Sequence, residues 1–475
     1  MAKRRIVDLQ PGLFDAECRS PKETFRYLRN FLAGRFIGAT RDDALLDEIL
    51  KCLFCKLHLE TIRRTEIDPE NPVVLARAYR ELFTKIRTDF PEIYGSNANI
   101  LLDDTLLLHV MAAMRFSLLD AASDPIGDAY EVFAGSESRA RTGQFFTPRN
   151  ATDLLVRAVN PQPGERVIDP ACGAGGFLAS IARHFWNQGH NNTKIAGAAK
   201  DLYGVEKDAY LANLARLHVT LLTKGHVNVQ CGDSLSQITE KGETLESVMP
   251  IGGFDVLLAN PPFGANIVAA SPEVLRKFEL ARRWELDKQD GHWRPNGAMR
   301  AQVPPQILFV ERCLSLVKAG GRLGMVLPES VLSNKSYRHV VDYIRSQAAV
   351  EAVLGMPEAL FKTSGKGGTH TKTCLLVLTK GRAKSSQAKI FMAEAQWCGQ
   401  DSRAREIPRD DLPKIGERYE TYRKGKRLEP SSLGFLIDAT AASENVLFPR
   451  YFDPELDIEL GRLKETHALL RFGNL

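Results

Sequence analysis

Asn260-Pro261-Pro262-Phe263 ends a short apolar run, Gly253-Phe-Asp-Val-Leu-Leu-Ala259, and this junction constrains the fold more than any other feature of the chain. A continuous apolar run of this length reads as a strand buried on both faces, which belongs in a parallel sheet covered by helices. Two prolines then stop the strand, because neither supplies an N–H to a ladder. Asn260 is therefore expected at the carboxyl end of a strand, where open α/β sheets bind their ligands. A second junction repeats the pattern. Glu165-Arg-Val-Ile-Asp169 reads as a strand, Asp169-Pro-Ala-Cys-Gly-Ala-Gly-Gly-Phe177 as a tight turn, and Phe177-Leu-Ala-Ser-Ile-Ala-Arg183 as a helix.

The chain has 475 residues, too many for one ordinary core, so two or three domains are expected. Residues 1–140 carry helical periodicity in Arg41–Leu57 (behind Thr40 or Asp42 as a cap), Pro72–Phe90 and Leu101–Leu119, and read as a helical domain. Residues 141–385 alternate strand-like and helix-like segments, the mark of an α/β, doubly wound sheet. Seven strands are expected, at Arg166–Asp169, Leu202–Glu206, Val227–Cys231, Asp255–Ala259, Arg322–Leu327, Val350–Leu354 and Thr373–Thr379. The last two are expected as an antiparallel hairpin at the sheet edge. Residues 264–300 break the rhythm and suggest a lid or a DNA-contacting loop. Residues 386–475 read as a shorter C-terminal region.

Composition narrows the classes. No apolar run approaches the roughly 18 residues that span a bilayer, and the N-terminus lacks the apolar stretch of a signal peptide. Eight scattered cysteines suit reduced thiols in a cytoplasm. The net charge of +5 is compatible with nucleic acid without requiring it. Basic clusters occur at Arg139-Ala-Arg141, Arg276-Lys277, Arg282-Arg283, Arg294 and Lys424-Gly-Lys-Arg427. Each alone reads as a solvated face; those after Asn260 flank the candidate site and point toward DNA.

The glycines at 173, 175 and 176 do not match the dinucleotide fingerprint, so no pyrophosphate is implied. They do allow close approach of a ligand and a sharp entry into a helix. Asp169 suits a cationic amino-acid moiety. Glu206, at the end of the next strand, suits a ribose, and Asp233, after the third, suits an adenine amine. The bland alternative is three strand-end acids that cap the helices after them.

At Asn260 the chemistry is that of an amino group conjugated to a ring. Its lone pair is delocalised, so it is a poor nucleophile. The Asn260 side-chain oxygen and the Pro261 carbonyl can accept both amine hydrogens and favour the nucleophilic, tetrahedral form. Phe263 offers a face to a base rotated out of a duplex. The bland alternative is a Pro-Pro turn that ends a strand.

Thr142-Gly-Gln-Phe-Phe-Thr-Pro-Arg149, then the glycine run, then Asn-Pro-Pro-Phe form an ordered set that resembles the gamma group of N6-adenine DNA methyltransferases. The helical front domain, Gly320-Gly-Arg-Leu-Gly-Met-Val-Leu-Pro-Glu-Ser330 and Met356-Pro-Glu-Ala-Leu-Phe361 resemble the modification subunits of type I restriction-modification systems. The resemblance covers roughly residues 20–385. It implies S-adenosyl-L-methionine (AdoMet) as cofactor, held by Gln144, Phe145, Phe146, Thr147, Pro148, Arg149, Ala174, Gly175, Gly176 and Glu206, with Asp169 and Asp233. It implies methyl transfer to a flipped-out adenine at Asn260, Pro261, Pro262 and Phe263, with no metal. The implied partners are double-stranded DNA and a specificity subunit; a second modification subunit and a restriction subunit are further partners it allows, in restriction or a related phage defence. Two alternatives remain at this stage: a methyltransferase acting on another amino group (a protein glutamine or an RNA base), and a non-catalytic DNA-binding scaffold. The tail from Pro449 to Leu475 reads as a docking helix for a specificity subunit or the start of a recognition region.

Three further signals point elsewhere but weakly. Cys52-x-x-Cys55 lies in an amphipathic stretch with no second pair for zinc and reads as core. Cys172 has no base partner in sequence. Gly365-Lys-Gly-Gly-Thr-His-Thr-Lys372 fails the phosphate-loop spacing and reads as a surface loop.

Overall fold

The computed structural model describes residues 20–36, 42–61, 71–89, 91, 94–118, 125–133, 147–263, 271–361, 371–381, 388–403, 405–440 and 446–467. Two compact units divide the chain, Met1–Gly135 and Ser136–Leu475.

The first unit is helical: Pro21–Ala33, Asp42–Thr61, Pro72–Asp89, Asp104–Ala113 and Pro125–Phe133. Its local signals are strong. Ser20 and Glu23 form a reciprocal capping box ahead of a proline in the first turn. Asp103 caps the fourth helix through the Leu106 N–H, so that helix is shorter than the apolar pattern from Leu101 suggests. Buried Glu48 pairs with Lys51 at 2.6 Å and accepts the N–H groups of Leu101 and Leu102, which satisfies a charge that would otherwise be costly to bury. Cys52 and Cys55 are fully buried among apolar neighbours, and burial pushes both thiols up.

The second unit is built on one large sheet. Its strands are β1 (Val167–Asp169), β2 (Leu202–Glu206), β3 (Asn228–Asp233), β4 (Ile238–Thr239), β5 (Phe254–Ala259), β8 (Val317–Pro328), β9 (Ala348–Gly355), β10 (Thr373–Lys380), β11 (Lys389–Glu394) and β14 (Phe435–Asp438); two small hairpins supply β6 (Arg282–Leu286) with β7 (Trp293–Met299) and β12 (Cys398–Gln400) with β13 (Glu406–Asp410). The order is β14-β11-β9-β10-β8-β5-β1-β2-β3-β4. Strands β3, β2, β1, β5 and β8 run parallel, and β10 runs antiparallel to both β8 and β9. This is the doubly wound α/β fold expected from the alternating pattern. All seven expected strands form, and helices bury both faces of the sheet in two apolar clusters.

Two expectations change. The sheet has ten strands among the described residues, not seven. The β9–β10 pair is antiparallel as expected but lies inside the sheet, because β11 pairs with β9 in parallel and β14 closes over β11. An apolar strand such as β9 exposes a row of unpaired backbone groups if left at an edge, and the strands after residue 385 cover it. The described part of the insertion after Asn260 contains the β6–β7 hairpin. Asp342 accepts the Trp293 N–H at 3.0 Å, and Trp284 packs edge-on to Tyr343, which anchors the hairpin to the helix Arg338–Gln347. No described helix is long and apolar enough to cross a membrane.

Candidate active site at the carboxyl edge of the sheet

The chain leaves β1, winds outward through β2 and β3, and returns to β5 on the other side of β1. The crevice between β1 and β5 is therefore the topological switch point, the usual ligand site of such sheets. Asp169, Glu206, Asp233 and Asn260 end or follow β1, β2, β3 and β5 at this edge. In the ladder Asp169 lies opposite Gly204 and Glu206 opposite Cys231, so each successive acid stands two residues further out.

The turn after β1 is shaped by close approach. Gly175 has φ +84°, and a Cβ there would stand 3.2 Å from both Ala215 Cα and Val219 Cγ2 of the helix Ala209–Thr223. Only glycine meets both demands. The Gly204 Cα faces Cys172, whose Sγ would lie 2.9 Å from an added Cβ, so a small residue on β2 makes room for the buried thiol. Burial pushes that thiol well up, which leaves Cys172 as packing and not as a nucleophile. Buried His218 approaches the Ala174 carbonyl at 3.3 Å from below and supports the loop.

Both carboxylates beside this loop are buried. Glu206 accepts the Gly173 N–H at 2.9 Å and the Asp208 N–H at 3.0 Å, one on each oxygen. A carboxylate has about four acceptor positions in all, so Glu206 keeps acceptor capacity beyond these bonds. Burial raises the Glu206 carboxyl, against the pull of these two N–H groups. Asp169 is 2% exposed and accepts the Ala171 N–H at 3.0 Å. Burial raises its carboxyl to about 8, the Ala171 N–H opposes this, and nearby Glu206 adds to it. Such a group gains most from a cationic partner. Asp233 accepts the N–H groups of Leu235 and Ser236 and pairs with Lys207 at 3.0 Å. Lys207 is a surface side chain, and exposed pairs of this kind hold weakly. A glycine cradle, a buried acid for a cation and a second acid with spare acceptor positions fit the adenosyl amino-acid skeleton of AdoMet.

Thr147, Pro148 and Arg149 precede and begin the helix Arg149–Val159, with Pro148 at its N-cap. Arg149 meets Asp153, and Asp153 accepts the Ser180 hydroxyl at 2.6 Å, which ties this segment to the helix that starts at the glycine turn. Gln144, Phe145 and Phe146 lie outside the described residues, as do Arg139–Arg141 and most of the Gly365–Lys372 loop.

Asn260 follows β5 directly, with its side-chain oxygen buried; Pro261 is buried and Pro262 half-buried. Phe263 is 3% exposed and packs edge-to-face on Phe361 at 5.7 Å. Its ring lies in the apolar core, whereas the stacking expected of it requires an uncovered face. The structure brings together Asp169, Ala174, Gly175, Gly176, Glu206, Asp233 and Asn260 on one edge. Sequence reasoning missed His218, Ser234 and Gln306. Ser234 donates to the Pro170 carbonyl at 2.6 Å and joins the turns after β1 and β3. The only signal in His218 and Gln306 was a polar residue beside apolar ones, and Ser234 carried none.

The family profile described as N-6 DNA Methylase matches residues 121–453, most of the chain. The chain belongs to the N-6 DNA methylase family. This member is similar to the type I restriction enzyme EcoEI methylase subunit of Escherichia coli, 24% identical over 362 residues that cover 70% of this chain and 66% of that protein. It is also similar to the type I restriction enzyme EcoKI methylase subunit of Escherichia coli strain K12, 25% identical over 271 residues, 54% of this chain and 45% of that protein. The matches thus span about half to two thirds of these relatives' lengths. Among solved structures, the type I restriction-modification system methyltransferase subunit from Streptococcus thermophilus superposes with a TM-score of 0.54 at 17% identity, covering 90% of this chain and 98% of that one. At that identity the likeness speaks for the fold. The methylase family implies use of AdoMet, in keeping with the cradle described above.

Proposed function

We propose that this N-6 DNA methylase family member is the modification subunit of a type I-like restriction-modification system or a related phage defence, and transfers a methyl group from AdoMet to N6 of a flipped-out adenine in double-stranded DNA. The observation that carries this reading is the position of Asn260. It follows β5 at the switch point, one strand from Asp169 and two from Glu206. A polar amide at this strand end stands beside the crevice between β1 and β5, where a reacting amine has to sit.

When bound, AdoMet supplies a methyl carbon on a cationic sulfur that leaves as a neutral thioether. The chain's own residues do the rest. Asp169 takes the cationic end, Glu206 the ribose hydroxyls and Asp233 the adenine amine, and the resemblance assigns Gln144–Arg149 to the same cofactor. Asn260 Oδ1 and the Pro261 carbonyl accept the two hydrogens of the target amine. The nitrogen lone pair is thereby drawn out of the ring and turned toward the side from which the bound cofactor would supply its methyl group. The two acceptors then stabilise the positive charge on nitrogen until one proton departs. Burial of Phe263 means that base stacking on it requires the Phe263–Phe361 contact to open. Target reading belongs to a separate specificity subunit, as the resemblance implies.

The test is methyl transfer from radiolabelled AdoMet into unmethylated host-type DNA, with and without the specificity subunit. The expected product is N6-methyladenine, absent with Asn260→Ala, which still binds AdoMet. AdoMet binding without DNA labelling, even with the partner present, would move the reading to another amino substrate.

A further inference from the structure

Gln306 lies in the first turn of the helix Pro305–Leu316, is 8% exposed, and its Oε1 accepts no hydrogen bond from any described residue. Leaving a buried amide oxygen without a donor is costly, and such atoms are rare enough in native proteins to require a reason. Pro304 and Pro305 have no backbone N–H to offer it.

The position of the helix indicates which donor is missing. The helix ends at Leu316 and passes straight into the amino end of β8, which runs parallel to β5. Its first turn therefore stands at the opposite, carboxyl edge, the edge of Asn260, Asp169 and Glu206. Further down, Arg312 donates to the Leu235 carbonyl at 3.1 Å, beside the turn that carries Asp233 and Ser234. Cys313 is fully buried and near enough to Asp169 for its thiol to feel that charge. Residues 306 and 313 are seven apart and share a helix face. At 1.5 Å per residue Gln306 stands roughly 10 Å above Cys313 along the axis. The face that packs beside Asp169 thus carries Gln306 up to the level where ligands enter.

We infer that Gln306 recognises the amino edge of an adenine ring in this site. Its Oε1 accepts one exocyclic N–H and its Nε2 donates to the ring N7, the bidentate pairing that a glutamine amide makes with adenine. This rests on the function proposed above, and the adenine is the cofactor's: Asp233 takes one hydrogen of its amine and leaves the other, whereas Asn260 and Pro261 take both hydrogens of the target amine. The amide makes the site select adenine over a ring that carries a carbonyl at the same position.

The experiment measures binding of S-adenosylhomocysteine and of S-inosylhomocysteine, its 6-oxo analogue, to the full chain by calorimetry, in wild type, Gln306→Leu and Gln306→Met. Replacing an orphan amide by an apolar side chain of similar size is expected to keep the fold, and Tm checks this. Wild type is expected to prefer the adenosyl form at least tenfold more strongly than either variant does, with Asp233 supplying the discrimination that remains. Unchanged discrimination in both variants overturns the inference: with methyl transfer to host-type DNA and the specificity subunit lowered at least tenfold it puts the amide at the target base, and with transfer unchanged it makes Gln306 a packing defect. Failure of wild type to bind S-adenosylhomocysteine at all overturns the functional reading itself, and is distinguished because it needs no variant.

Discussion

Glu206, at the end of β2, holds the backbone N–H of Gly173, in the turn after β1, at 2.9 Å. One carboxylate thus braces the glycine cradle and stands ready for a ligand. Removing it has two effects that can be separated. Glu206→Ala is expected to weaken AdoMet binding at least tenfold and to speed hydrogen exchange at the Gly173 amide in the ligand-free protein. Glu206→Gln keeps one acceptor oxygen and is expected to fall between the two. Unaltered exchange at Gly173 in Glu206→Ala would show that the brace is unimportant.

Asp169 sets a pH dependence whose direction follows from burial. Its carboxyl ionises at 3.8 in an unfolded chain and at about 8 in the fold. A raised folded value contributes stability that is fully present below about pH 4 and is lost as pH rises through about 8. Asp169→Asn cannot lose it. The Tm of Asp169→Asn minus that of wild type should therefore grow from pH 5 to pH 8, reaching at least about 3 °C, since 1 kcal/mol moves Tm by roughly 2–4 °C in a domain of 150–250 residues. A flat difference would contradict the assignment.

The same group predicts proton release on binding. At pH 7 Asp169 is largely protonated in the ligand-free protein, and a cationic ligand group beside it favours the ionised form. AdoMet binding should release close to one proton, read by calorimetry in buffers of different ionisation enthalpy, and Asp169→Asn should abolish the release.

Gly175→Ala meets both strain and a steric limit. The residue has φ +84°, and the new methyl stands 3.2 Å from Ala215 and Val219. A left-handed alanine costs about 1–2 kcal/mol before any clash. The variant should be less stable by about that much or more in urea unfolding, with AdoMet affinity lowered beyond what the stability loss explains.

Arg450 ties the end of the chain to the sheet's carboxyl edge. Its Nη2 lies 3.0 Å from Glu329, just after β8, and 2.9 Å from Glu394, at the end of β11. Burial raises the Glu394 carboxyl, and Arg450 holds it down. In Arg450→Met two acids face each other without the cation. The expected loss is about 1–2 kcal/mol, below that of a fully buried pair because all three side chains reach solvent. The loss should be larger at pH 8 than at pH 5, where Glu394 can take a proton, and equal losses at both would rule out this explanation.

The strands that carry chemistry were legible because local pattern decides them. Val167–Asp169, Leu202–Glu206 and Phe254–Ala259 are apolar runs stopped by glycine, acid or proline, and no alternative packing suits such runs. Asp169, the glycine turn, Glu206, Asp233 and Asn260 were found from the same junctions. Strands β11 and β14 were not, because the place of β11 is set by the edge of β9 and that of β14 by β11, partners far away in sequence. The hairpin β6–β7 was likewise invisible, its anchor being Asp342 on a later helix.

The sequence by itself determined the parallel sheet, its ligand edge and the polar groups on that edge, since strand periodicity and turn chemistry act over a few residues. Only the tertiary structure decided what those groups already hold. Burial raised Asp169, the Gly173 N–H claimed part of Glu206, Phe361 covered Phe263, and packing left the Gln306 oxygen without a donor among the described residues. Desolvation and hydrogen-bond competition depend on neighbours brought together by the fold, and no local pattern encodes them.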